Sequence, residues 1–249
     1  MGGKIFIARR TTVDIRGDTQ NDSVIGRRDS QLLYGEAFQV ERRQGAWLKG
    51  VSVLDGYEGF VRAEDMTPLQ SMPTHVVKAV LTQLYPAPDF KTRPLMTLSF
   101  LSHIALRDET PQNGFLPTTE GYWIPGGHVR PIQEAGADWT TLALMFLGLP
   151  YLYGGRSALG IDCSGLVQIA LQACGVSCPR DSDQQMAISK AAAQADLRRG
   201  DLVFFKGHVG IMTDGSSILN ATARTMDVRI ETLSSLQTHY GDILAIRRL

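Results

Sequence analysis

From residue 11 to about 68 the chain alternates apolar and polar positions in runs of three to five. Gln31-Leu32-Leu33-Tyr34, Ala37-Phe38-Gln39-Val40, Trp47-Leu48-Lys49-Gly50-Val51 and Gly59-Phe60-Val61 read as short strands. Gly35-Glu36, Gln44-Gly45 and Asp55-Gly56 supply the turns between them. Short strands at this spacing predict a small β-barrel, and Pro68-Leu69-Gln70-Ser71-Met72-Pro73 reads as a linker after it.

A weaker form of the pattern runs from about 74 to 132. Glu120-Gly121-Tyr122-Trp123-Ile124 echoes Asp55-Gly56-Tyr57-Glu58-Gly59-Phe60, and Leu95-Met96-Thr97-Leu98 stands where Leu32-Leu33 stood. A divergent tandem repeat of one barrel module is expected. Beyond Pro131 the period lengthens, and Ala135 to Leu147 reads as a helix ended by Gly148-Leu149-Pro150.

Tyr151-Leu152-Tyr153-Gly154-Gly155 follows as a loop. Apolar residues at 163, 166, 167, 170, 171 and 174 then mark one face of a helix that Gly175 ends. A further helix is expected through Asp183 to Ala193. After Gly200 the period falls to two, with strands around Leu202-Phe205, Val209-Met212, Ser217-Asn220, Val228-Ile230 and Ile243-Ile246. Helices first and an antiparallel sheet second define an α+β domain.

Twenty-five basic residues balance twenty-five acidic ones, so composition offers no electrostatic grip on nucleic acid or an anionic membrane. The expected partner is small or nearly neutral. The N-terminal apolar run, Ile5-Phe6-Ile7-Ala8, is far shorter than a signal-peptide core, and a cytoplasmic location is expected unless an export signal precedes it. Three cysteines, Cys163, Cys174 and Cys178, make no disulfide framework. Cys174 and Cys178 lack a second Cys or His pair for a zinc site, so both read as structural, and no metal or cofactor is expected.

Cys163 lies where a Gly-rich turn gives way to a helix. The unpaired N–H groups of a helix start stabilise a thiolate, and a nearby imidazole can take the thiol proton. His208, after Gly207, is the candidate base. Asn220 lies one hairpin away across Asp214-Gly215 and is the candidate for orienting the ring. Each residue alone has an ordinary structural reading, a buried cysteine above all; their combination points to nucleophilic catalysis.

Gly160-Ile161-Asp162-Cys163-Ser164-Gly165-Leu166-Val167, Pro179-Arg180-Asp181-Ser182-Asp183-Gln184-Gln185, Gly200-Asp201-Leu202-Val203-Phe204-Phe205 and His208-Val209-Gly210-Ile211 resemble, in order, the signature of the NlpC-type cell-wall peptidases. The segments before them resemble bacterial SH3-like modules. The resemblance implies an α+β papain-like catalytic domain over 134–249, preceded by two small SH3-like β-barrels over 1–70 and 73–133. It implies a cysteine endopeptidase cutting between γ-D-glutamate and a diamino acid in peptidoglycan stem peptides. Cys163 would be the nucleophile and His208 the base, with Asn220 third where many members carry His. Tyr151 would help the Cys163 N–H stabilise the oxyanion, an interaction worth about 10² to 10³ in rate.

Members with this arrangement recycle murein peptides and require a free N-terminal L-Ala. By the same resemblance Asp29, Tyr57, Asp162, Ser164 and Ser182 would line the amine end of the site, although Asp162 and Ser182 also suit helix caps. Arg180 reads as a structural ion-pair former. A second reading keeps the chemistry but makes the chain a secreted hydrolase of intact cross-links with wall-binding barrels. Acyl transfer on the same fold stays open beside hydrolysis, and the oligomeric state is not legible.

Overall fold

A computed structural model describes residues 4–19, 26–188 and 190–249. The chain forms two compact units, Met1–Glu134 and Ala135–Leu249. The first begins with β1 (Lys4–Ala8), β2 (Thr12–Ile15), β3 (Ser30–Leu33), β4 (Ala37–Gln44), β5 (Trp47–Ser52), β6 (Glu58–Arg62) and β7 (Met66–Pro68). Five of these make a sheet in the order β6-β5-β4-β1-β7, while β2 pairs with β3. Alternation along β4, β5 and β6 turns Phe38, Val40, Leu48 and Val61 onto Val13, Ile15 and Leu32 in one core.

The same unit continues with β8 (His75–Val77), β9 (Leu81–Leu84), β10 (Met96–Ser99), β11 (His103–Ile104), β12 (Phe115–Pro117), β13 (Trp123–Pro125) and β14 (Val129–Pro131). These pack a separate core of Val77, Leu84, Leu98, Ile104 and Ile124. Gly56 and Gly121 both take positive φ, and β6–β7 and β13–β14 are each joined by one turn of 3₁₀ helix.

Tyr34 ties the two halves of this unit together. It leaves β3 to enter the second core, and its hydroxyl donates to Glu120. Gly35 beside it takes φ +77°, and a Cβ there would stand 2.1 Å from the His103 carbonyl oxygen. The His103 N–H donates to the Tyr34 carbonyl at 2.8 Å. The expected linker at 68–73 therefore starts inside a strand and joins parts of one unit.

The second unit holds α1 (Trp139–Leu144), β15 (Arg156–Ser157), β16 (Gly160–Ile161), α2 (Cys163–Ala173), α3 (Ser182–Gln185), β17 (Lys190–Ala191), β18 (Leu202–Phe205), β19 (His208–Met212), β20 (Ser217–Thr222), β21 (Asp227–Thr232), α4 (Leu233–Tyr240) and β22 (Ala245–Arg248). Six strands form an antiparallel sheet ordered β17-β22-β18-β19-β20-β21. α2 packs on β19 and β20 and is buried nearly all round, not along one stripe. Even Gln168 is fully buried, because its amide accepts from Arg156 Nε and donates to the Cys178 carbonyl.

Two expected helices are shorter than their composition suggests. α1 starts only after Asp138, whose carboxylate accepts the N–H groups of Thr140 and Thr141. Residues 135–138 are not helical, and the Gly136 N–H donates instead to the Ala173 carbonyl at the end of α2. The helix expected over 183–193 is the single turn α3, after which β17 takes ladder bonds from β22; Ser189 lies outside the described residues. Edge pairing there outweighs the helix propensity of the alanines.

Replacing Tyr34 by Ala removes the ring from the second core and should lower stability by about 3–5 kcal/mol. Tyr34→Phe, which keeps the ring, should cost clearly less; urea denaturation of the two variants checks the order.

Candidate active site

The loop before α2 is set by close backbone packing. Pro150 bridges to Asp227, and Tyr151 bridges in parallel to Ile161, two residues before Cys163. Gly154 takes φ +72°, and a Cβ on Gly165 would stand 2.4 Å from the Gly155 carbonyl oxygen. Glycine at these positions lets the loop lie directly on the first turn of α2.

Asp162 is the N-cap of α2. Its Oδ1 accepts the Gly165 N–H at 2.8 Å and Arg180 Nη1 at 3.0 Å; its Oδ2 accepts the Gly154 N–H at 2.8 Å and Arg180 Nη2 at 2.7 Å. Arg180 is 1% exposed and also donates to Ser164 Oγ at 2.7 Å. This bidentate pair joins the loop, the start of α2 and the chain leading to α3. Gln185 of α3 adds donation to the Ser164 and Pro179 carbonyls, both at 2.9 Å.

Cys163 is the first residue of α2, and its sulfur lies within reach of the main-chain N–H groups of Ser164 and Val209. Val209 follows His208, so the thiol sits at the start of β19. His208 is 3% exposed, and its Nε2 stands 3.1 Å from Asn220 Oδ1. The Asn220 amide nitrogen donates to the Arg229 carbonyl at 3.4 Å and to Glu231 Oε2 at 3.3 Å, which turns its oxygen toward the imidazole. Facing an acceptor, Nε2 carries the proton, which leaves Nδ1 with its lone pair.

The sequence reading missed the other face of the ring. Tyr240, at the end of α4, stacks on His208 with centroids 4.1 Å apart and planes 6° from parallel. Its hydroxyl is 2.8 Å from Thr222 Oγ1. Glu231 was missed too, although the period-two pattern of β21 sets it two residues from Arg229, directly across from Asn220 in the register. Tyr240 belongs to no periodic motif and only tertiary packing reveals it.

Burial is the main influence on the reactive groups. It pushes the Cys163 thiol up to about 12, helped by the Asp162 carboxylate, while the Val209 N–H, Arg180 and the Ser164 N–H pull the other way. It pushes His208 down to about 4, against the Asn220 hydrogen bond and the Glu231 charge, which favour the imidazolium. Tyr151 is raised by burial, then by the nearby Cys163 and Asp162. Burial thus favours the neutral form of both the thiol and the imidazole.

Of the other residues singled out in the sequence, Ser182 opens α3, where Asp181 is the N-cap and no side-chain cap bond forms. Asp29 and Tyr57 belong to the first unit. Asp29 Oδ2 accepts the Gly17 N–H at 2.7 Å, and Tyr57 is part-buried against the first core. Cys178 is buried and Cys174 closes α2. Among the described residues, no group of three or more His, Cys, Asp or Glu could hold a metal, and no helix is long and apolar enough to cross a membrane.

A thiol on a helix start over an antiparallel sheet, with an imidazole oriented by an amide, gives the second unit the arrangement of a papain-like cysteine hydrolase. Residues 148–245 match the NlpC/P60 family, and residues 25–66 match the bacterial dipeptidyl-peptidase SH3 domain. The chain is 30% identical over 264 residues to the γ-D-glutamyl-L-lysine dipeptidyl-peptidase of Bacillus subtilis (strain 168), covering 96% of this chain and 86% of that protein. It is 27% identical over 240 residues to the protein of the same name from Bacillus cereus (strain ATCC 10987 / NRS 248), covering 83% and 71%. The crystal structure of a NlpC/P60 family protein from Bacillus cereus ATCC 10987 shares the fold with a TM-score of 0.84 at 20% identity, covering 98% of this chain and 99% of that one. The chain belongs to the NlpC/P60 family and is a cysteine peptidase.

Arg180→Ala strands the Asp162 carboxylate in a buried site and should destabilise by about 3–5 kcal/mol in chemical denaturation. A second expectation concerns pH. With His208 held near 4 when folded and near 6.5 when unfolded, the unfolded chain binds the extra proton between these values, so the stability from neutral His208 declines as pH falls through that window. The base is likewise lost only near pH 4, so the acidic limb of kcat/KM should fall well below 6.5; a limb at or above 6.5 contradicts this.

Proposed function

We propose that this peptidase cleaves the bond between γ-D-glutamate and a diamino acid in peptidoglycan stem peptides that carry a free N-terminal L-Ala. The observation that carries the reading is the extent of the similarity to a γ-D-glutamyl-L-lysine dipeptidyl-peptidase, which runs through the SH3 region as well as the catalytic unit. In this reading Cys163 attacks the γ-carbonyl while His208 Nδ1 takes its proton. The imidazolium formed is held by Asn220 Oδ1 through Nε2–H and by the Tyr240 ring face. His208 then returns the proton to the leaving amine, and water releases the acyl group by the same route.

Tyr151 assists the Cys163 N–H at the oxyanion. Asp29, Tyr57 and Ser182 serve the ammonium end of the substrate. Every oxygen of Asp162 already accepts donors of the protein, so with Ser164 it acts there through its charge and through Arg180, not by direct pairing. The residues after 73 form a second, divergent SH3-like module, and the enzyme works on recycled murein peptides in the cytoplasm.

L-Ala-γ-D-Glu-L-Lys should release the dipeptide with the parent enzyme and not with Cys163→Ala. Acetylating the substrate's amine should remove most activity while near-ultraviolet circular dichroism shows both proteins folded. Equal turnover of the acetylated peptide would overturn the free-amine requirement; turnover by Cys163→Ala would overturn the nucleophile.

A further inference from the structure

The cross-strand registers place Asn220 opposite Arg229 and Ile218 opposite Glu231, so Asn220 and Glu231 are diagonal neighbours on one face of the sheet. His208 is on that face as well, joined to Asn220 at 3.1 Å. Glu231 Oε2 accepts the Asn220 amide at 3.3 Å, and its Oε1 accepts Arg224 Nη2. The Glu231 side chain is 11% exposed and Arg224 33%, so the guanidinium covers the carboxylate from the solvent side.

We infer that Glu231 is a positioning residue of this site: it locks the Asn220 amide with its oxygen on His208 and sets, together with Arg224, the charge that the imidazole feels through that amide. The inference rests on the reading of Cys163, His208 and Asn220 as the reacting set. An amide alone fixes the direction of a hydrogen bond but brings no charge, and it can turn over to present its nitrogen. Glu231 blocks that turn, since an amide oxygen facing a carboxylate would be repelled.

Glu231 acts on His208 from β21 and His239 and Tyr240 from α4, while Arg224, in the turn before β21, pairs with Glu231, and Cys163 of α2 acts on Tyr240. Glu231 favours the imidazolium, His239 opposes it, and Tyr240 offers a ring face. Arg224 offsets Glu231, so the pair works as an adjustable charge one hydrogen bond behind the triad.

The test is a pair of substitutions with opposite signs. Glu231→Gln keeps an acceptor for Asn220 and removes the charge; Arg224→Met leaves the carboxylate unopposed. In a Cys163→Ala background, the NMR titration of His208 should move down by about half a pH unit or more in Glu231→Gln and up in Arg224→Met. In the active enzyme the acidic limb of kcat/KM should move the same two ways, and Glu231→Ala, which also frees the amide, should lose about tenfold in kcat with KM little changed. General loosening of the fold would shift both charge variants alike. An unchanged His208 titration in folded Glu231→Gln, or shifts of equal sign, overturns the inference. Turnover by Cys163→Ala would instead overturn the underlying triad, so the two failures are told apart.

Discussion

The buried contact between Asp162 and Arg180 is the constraint on which the catalytic unit depends. Burying two charges costs several kcal/mol per ion, and their attraction offsets this only when the remaining donors and acceptors are also satisfied. Here they are: both carboxylate oxygens accept one main-chain N–H and one guanidinium N–H each, and the guanidinium also reaches Ser164. The partners come from the Gly154 loop, the first turn of α2 and the segment before α3. This contact joins three stretches that the packing of Gly155 on Gly165 and the bond from Gln185 to Ser164 also bring together, and Cys163 sits in the middle of them.

That arrangement has an electrostatic consequence. Burial and the Asp162 carboxylate oppose thiolate formation at Cys163, while Arg180 and the N–H groups of Val209 and Ser164 favour it. The imidazole, buried under Tyr240, likewise resists its charge at rest. Burial thus favours the neutral form of both groups, and a bound carbonyl can take up the negative charge as it develops. The cost of separating charge then falls in the step where the site's donors oppose it most effectively, as expected of a preorganised pocket.

The parts of this unit that could be read from the sequence are those encoded locally. The Asp162 cap before Cys163, the Gly154-Gly155 turn and the period-two strands on either side of Asp214 each carry their signal within a few residues, and the hairpin sets His208 beside Asn220. Helix lengths were not legible, because competing tertiary bonds set them: the Gly136 N–H goes to Ala173 and the chain after α3 goes to the β22 edge. Tyr240 and Glu231 were missed for the same reason, since each reaches the site from an element whose own pattern says nothing of His208. In the first unit, Tyr34 looked like the end of a strand, yet its ring belongs to the core of the other half.

The choice of an amide for the third position follows from the burial of His208. A carboxylate bonded directly to Nε2 would raise the proton affinity of the ring strongly in so enclosed a place, and a ring that keeps its proton cannot serve as a base. A lone amide would orient the ring but leave the imidazolium of the reaction poorly stabilised. Asn220 with Glu231 behind it separates the two tasks: the amide sets direction at 3.1 Å, and the carboxylate acts from beyond the amide, tempered by Arg224. Burial favours the neutral ring, while the Asn220 hydrogen bond and the Glu231 charge favour the imidazolium through which a base must pass.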